Sequence, residues 1–234
     1  MSKNLEDIKQ SLFHQRLIAF LKSAPGIVHN LNNPLTIIST RAQLLQMKMP
    51  GNQDFKKMTE QSKVIEAILN NLVFISQNIS NDQLHKIDIN ALLKNEMEFL
   101  DADAFFKHNI TKDFQYYPGP LMTTSSYFHI STLLFCVIQV LLFHLQNSVG
   151  NKTIILKTDK SADAGMIIIR SPILVPLEIG NSTLPRSSRS DDPHIQNLLD
   201  ACQLARENEI ELMTNQNSTS TEFTISIPIT KWMI

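Results

Sequence analysis

Apolar residues recur in alternating steps of four and three near the start of the chain, at Leu17, Leu21, Ala24, Val28, Leu31, Leu35, Ile38, Ala42 and Leu45. This a/d spacing predicts a helix from about Leu5 to about Met47 that packs lengthwise in a bundle or coiled coil. The breaker run Met49-Pro50-Gly51-Asn52 ends it. A second four-three series, Met58, Ser62, Ile65, Leu69, Leu72, Ser76 and Ile79, predicts a helix from about Gln53 to about Ser80. Two such helices joined by a short turn make an antiparallel hairpin. One hairpin has too little partner surface to cover both stripes, so a homodimer closing a four-helix bundle is expected. The alternative is a monomeric bundle completed by the rest of the chain.

The polar linker Asn81-Asp82-Gln83 divides the chain into domains over 1–82 and 83–234. Beyond it the period changes. His85 to Ile89 alternates like a short strand, and Asp88 or Asn90 caps a helix through about Phe106. Asn109 to Gln115 is a candidate strand, and Tyr117-Pro118-Gly119-Pro120 is a turn. Ser125 or Ser126 caps an apolar helix ending near Asn147. Lys152 to Thr158 and Met166 to Arg170 read as strands around a turn at Asp163-Ala164-Gly165. Ser171 to Asp192 has no period and reads as a loop. A helix from Pro193 to Asn208 and a hairpin of Ile210 to Thr214 with Phe223 to Ile229 complete the chain. The mixture predicts an α+β class, with a helical layer on one sheet.

Composition narrows the function classes. The chain has 234 residues, 43% of them hydrophobic and 18% charged, with a net charge of −1. That balance supports a real core and excludes the basic stripe of a nucleic-acid surface. Cys136 and Cys202 stand far apart in apolar patterns and read as buried free thiols in a reducing compartment, hence a cytoplasmic protein. Residues 1–10 are polar and lack the apolar core of a leader peptide. Ile130 to Leu145 is shorter than the ~20 residues a bilayer requires and is interrupted by polar residues, so no membrane association is expected. His14, His85, His108, His129, His144 and His194 show no metal-ligand spacing. Arg186 and Arg189 read as solvated loop residues.

One stretch stands apart. His29-Asn30-Leu31-Asn32-Asn33-Pro34-Leu35 sits inside the first heptad pattern, which runs through it on both sides. His29 falls one place after Val28, beside the seam, and is expected to reach solvent. Pro34 has no N–H to give the carbonyl of Asn30, which predicts a kink or a loosened turn next to the imidazole. The stretch resembles the H-box of two-component sensor histidine kinases, in which a histidine, a polar pair, a proline and a leucine follow in this order. The order of elements in the second half resembles the family's ATP-binding domain, the GHKL or Bergerat α/β sandwich. The resemblance implies that His29 is a phospho-acceptor, that Asn33 orients water in dephosphorylation, and that a response-regulator receiver docks near His29, on residues such as Thr36, Ser39 and Thr40.

The same resemblance exposes departures. The family's acidic residue after the histidine is Asn30 here, and an amide cannot act as a general base, a loss that typically costs ~10²–10⁴-fold. Where the family carries D-x-G-x-G stands Ser171-Pro172-Ile173-Leu174-Val175. Where a glycine-rich turn cradles phosphates stands Ser190-Asp191-Asp192-Pro193-His194, with two carboxylates and no glycine. Asn147 matches the family's Mg²⁺ asparagine in position alone. The expectation is a histidine phosphotransferase of a phosphorelay, passing phosphate between His29 and receiver aspartates. It would bind no ATP and have no cofactor of its own, with Mg²⁺ supplied by the receiver. The alternatives are an ATP-dependent histidine kinase with a divergent pocket and a non-catalytic pseudokinase that binds a receiver.

Overall fold

The computed structural model describes the backbone of residues 5–78, 81–177, 182–183 and 190–229, and the side chains of 16, 19–78, 81–177 and 190–229. The side chains of His14 and Leu17, and all of Ile79, Arg186 and Arg189, lie outside these. The chain forms two compact units, 1–80 and 81–234. The first is a helical hairpin and the second an α/β sandwich, as the change of period predicts.

In the hairpin, α1 (Leu5–Lys48) packs along α2 (Gln53–Asn78). α1 runs as one helix through Pro34 and also through Pro25. The expected seam divides into two stripes. Ala24, Val28 (3% exposed) and Ala42 are buried in the hairpin, with Leu21, Asn32, Leu35, Ser39 and Gln46 half-buried. Leu31 (49% exposed), Ile38 and Leu45 remain exposed, and Phe20 and Ile27 extend their line. A helix turns about 100° per residue, so one helix face cannot serve both rows at once. On α2, Ser62 is buried and Leu69, Leu72 and Ser76 are half-buried, whereas Met58 and Ile65 are exposed.

The second unit begins with β1 (Leu84–Asp88) and α3 (Ile89–Leu100). Asp88 caps α3, accepting from Asn90 N at 3.0 Å and also from Leu121 N at 3.2 Å. The helix expected to run to Phe106 breaks at Asp101-Ala102-Asp103. Asp103 accepts from Phe106 N at 2.8 Å and starts α4 (Ala104–Asn109). Then come β2 (Thr111–Gln115), β3 (Met122–Ser126), α5 (Tyr127–Asn147), β4 (Thr153–Lys160), β5 (Ala164–Ser171), β6 (Ser182–Thr183), α6 (Pro193–Ala205) with a 3-10 turn at Arg206–Asn208, β7 (Glu211–Gln216) and β8 (Thr221–Pro228). β3 carries no apolar alternation and forms by antiparallel pairing with β1. The large sheet has the order β2-β4-β5-β8-β7-β6, antiparallel except for β2 with β4.

Alternation decides which face of that sheet is covered. Ile154 and Leu156 of β4, Ile167 and Ile169 of β5, and Phe223, Ile225 and Ile227 of β8 are buried in one core with α3, α5 and α6. Gly165 is not part of a turn, as its neighbours suggested, but lies inside β5. A Cβ there would collide with the Ile89 side chain, so glycine lets α3 approach the sheet. α5 runs from its Ser126 cap to Asn147, as expected. Its 21 residues would by length and composition cross a membrane, but most of its apolar side chains are buried in this core.

Buried Glu96 ties α3 to α5 by accepting from the Tyr127 hydroxyl at 2.6 Å. Burial raises the Glu96 carboxyl above its ordinary 4.5, although the hydrogen bonds from Tyr127 and Ser131 oppose the shift. A raised carboxyl stabilises the fold fully below the unfolded value, and that contribution is lost as pH rises through the folded one. Urea unfolding from pH 4.5 upward is therefore expected to show stability falling with pH. Glu96→Gln, which keeps an acceptor for Tyr127, should flatten that fall. An equal slope in wild type and variant would show that Glu96 ionises without cost.

Candidate phospho-acceptor site

On an α-helix, residues four, seven and eleven places apart return to nearly the same line. Asn33, Thr36 and Thr40 stand at those offsets from His29, and all four are exposed. They form one polar stripe on α1. Pro34 withholds an N–H from the Asn30 carbonyl, and the Thr36 hydroxyl donates to the Asn32 carbonyl at 2.8 Å, so two successive turns depart from the plain backbone ladder. Asn30 is exposed and Pro34 is exposed one residue beyond Asn33.

Ser39, grouped with Thr36 and Thr40 from the sequence, lies off this stripe. It is half-buried toward the hairpin interior, and its hydroxyl accepts from Gln43 Nε2 at 3.3 Å. Three residues not singled out in the sequence adjoin the stripe. Ile37, Leu44 and Met47 are exposed, and Met47 lies about five turns from His29 on nearly the same line. Their signal was present: each is a large apolar residue outside the heptad series. The line of Phe20, Ile27, Leu31, Ile38 and Leu45 runs on the opposite side of α1, about half a turn from His29. The helix thus separates an apolar face from a face that carries the imidazole.

In the second unit, Asn147 ends α5, and its exposed side chain donates from Nδ2 to the Phe143 carbonyl at 2.9 Å. Alternate residues of the Ser171–Val175 segment are packed inward, with Pro172 and Leu174 exposed. Val175 is 1% exposed, Ile173 is buried, and the Ser171 hydroxyl donates to the Thr153 carbonyl at 2.9 Å. The Thr221 hydroxyl donates to the Ile173 carbonyl at 2.8 Å and accepts from Val175 N at 3.1 Å. At the start of α6 the chain's own carboxylate occupies the free N–H groups, since Asp192 accepts from His194 N at 2.8 Å and Ile195 N at 3.3 Å. The rings of Phe143 and His194 stack with centroids 4.5 Å apart, joining the end of α5 to the start of α6. His144 beside them has its Nε2 buried without a hydrogen-bond partner. Burial lowers its pKa, Asp192 opposes the shift and His194 adds to it. Among the described residues no group of three or more His, Cys, Asp or Glu could hold a metal ion.

Comparison with known proteins bears on the hairpin first. Residues 23–81 match the family model described as the His Kinase A (phospho-acceptor) domain. No curated protein matches the chain. Among solved structures the chain is similar to the Acinetobacter baumannii histidine kinase AdeS, with a TM-score of 0.47 and 12% identity over 87% of this chain and 98% of that one. It is also similar to histidine kinase ThkA in complex with response regulator protein TrrA, with a TM-score of 0.47 and 14% identity over 98% of this chain and 68% of that one. The catalytic domain of ThkA alone matches with a TM-score of 0.47 and 16% identity over 62% of this chain and 95% of that one.

Proposed function

We propose that this chain, which carries a His Kinase A phospho-acceptor domain over residues 23–81, is a cytoplasmic, homodimeric histidine phosphotransferase that works without ATP. The observation that carries the reading is the exposed stripe of His29, Asn33, Thr36 and Thr40 inside that domain. A ring nitrogen of His29 attacks the phosphorus of a receiver's aspartyl phosphate. The acyl phosphate P–O bond breaks, the aspartate carboxylate leaves, and the other ring nitrogen keeps its proton. The reverse step returns the phosphoryl group to a second receiver. Mg²⁺ in the receiver supplies the charge neutralisation, and α1 supplies a positioned nucleophile on a rigid element. Ile37, Leu44 and Met47 offer the receiver an apolar contact beside the polar stripe.

The absence of ATP from this reaction is supported by what fills the second unit. Buried Ile173 and Val175 stand where a nucleotide-reading aspartate and glycines are expected. The Asp192 carboxylate already caps the helix whose N–H groups would meet phosphate, and it would repel that phosphate.

Two measurements test the proposal. Incubation with receivers phosphorylated by a small acyl phosphate should transfer label to the chain as acid-labile, base-stable phosphate. Calorimetry with millimolar Mg-ATP should show no saturable heat, and Asn30→Glu should not create ATP-dependent labelling. Saturable micromolar binding of nucleotide would replace this reading with that of an ATP-dependent kinase. Receiver binding without transfer would leave a pseudokinase.

A further inference from the structure

The two cysteines of the chain lie on one helix pair, Cys136 on α5 and Cys202 on α6. At the start of α5, His129 contacts Asn208, which follows α6. At the end of α5, Phe143 stacks on His194 at the start of α6. The helices are therefore antiparallel, and the two contacts fix their register. Cys136 lies midway between His129 and Phe143, and Ala201 midway between His194 and Asn208. The steps on α5 and the step from His194 to Ala201 are each two turns along one helix face, and the 3-10 turn Arg206–Asn208 carries the chain on to His129, so Cys136 stands about level with Ala201 and Cys202. Ala201, Cys202 and Ala205 are buried, and Cys136 packs against the same core. Small residues at the crossing bring helix backbones close, which a disulfide between helices requires.

We propose that Cys136 and Cys202 form a redox pair that closes to an intramolecular disulfide under hydrogen peroxide and so staples α5 to α6. Cys136, the more exposed of the two, attacks as thiolate on a peroxide oxygen, giving a sulfenic acid and one water. Cys202 attacks the sulfenic sulfur, expels hydroxide, and its proton completes a second water. Two thiols and one peroxide yield one disulfide and two waters. Both thiols are free in the structure. Burial pushes the Cys136 thiol up to about 11 and the Cys202 thiol up to about 12. The pair is thus slow at neutral pH, and its closure rate should rise about tenfold per pH unit as the thiolate fraction grows. The staple closes a long loop and constrains the unfolded chain.

The test uses the reduced full-length chain and hydrogen peroxide. Titratable thiols should fall from two to none, the mass should drop by two hydrogens, and a digest without reductant should contain one peptide pair joining Cys136 to Cys202. Thermal unfolding should shift upward and return on reduction. In Cys136→Ser or Cys202→Ser, each checked for native circular dichroism, the upward shift should be lost. Two thiols that survive peroxide at every pH would overturn the proposal. So would over-oxidation of Cys136 with Cys202 still free, or disulfides only between chains.

Discussion

His29→Ala should lower phosphoryl uptake from a phosphorylated receiver to background, a loss on the order of 10³-fold or more, because it removes the nucleophile itself. The same change should leave folding and assembly unaltered. The imidazole is exposed, and it lies off both the buried stripe of Ala24, Val28 and Ala42 and the apolar stripe of Leu31, Ile38 and Leu45. Deleting it uncovers no core. Helical circular dichroism and molar mass by light scattering should therefore match wild type while label on the chain disappears. Asn33→Ala, on the same stripe one turn away, serves as a comparison that alters the surface but keeps the nucleophile. If His29→Ala still accepts phosphate from the receiver, His29 is not the acceptor and the central reading fails.

Two aspartate substitutions three residues apart should separate folding from assembly. Val28 is 3% exposed and faces α2, so Val28→Asp places an unpaired charge inside the hairpin and should unfold it. Leu31 is 49% exposed in a single chain, so Leu31→Asp should leave the hairpin helical. In the proposed homodimer its effect falls on a second copy packed on the Phe20, Ile27, Leu31, Ile38 and Leu45 stripe. There the buried charge should weaken the dimer by roughly 4 kcal/mol, about a thousandfold in Kd. Sedimentation or light scattering against concentration reads the assembly, and circular dichroism reads the helix. A wild-type chain that stays monomeric at high concentration would end the dimer reading. A Leu31→Asp chain that loses its helicity would show that this stripe is needed within one hairpin.

Several elements follow directly from short-range pattern. The four-three series of α1 and α2, the apolar runs of β4, β5 and β8, and the caps offered at Asp88 or Asn90 and at Ser125 or Ser126 were legible because each depends on a few neighbouring residues. The stretch around His29 was equally legible, since a histidine, polar residues and a proline inside an unbroken heptad pattern are a local signal. The departures from a nucleotide site were legible as residue types: no aspartate or glycine from Ser171 to Val175, and carboxylates before α6.

Tertiary structure decided what depends on contacts distant in sequence. One apolar series on α1 became two stripes, because a single chain supplies one partner helix and only Val28 and its line reach it. Ser39 left the group of Thr36 and Thr40 because α2 covers its side of the helix. β3 is held by backbone pairing with β1 and by the Thr123 hydroxyl on the Pro228 carbonyl, not by an apolar pattern of its own, and Gly165 is fixed by the approach of Ile89 from another element. Cys136 and Cys202, far apart along the chain, are brought level by the antiparallel register of α5 and α6. The period of each segment and the chemistry it carries are set by neighbouring residues along the chain. Which face of each segment is covered, and by what, was set by packing, because burial is shared among all the elements that meet in a core.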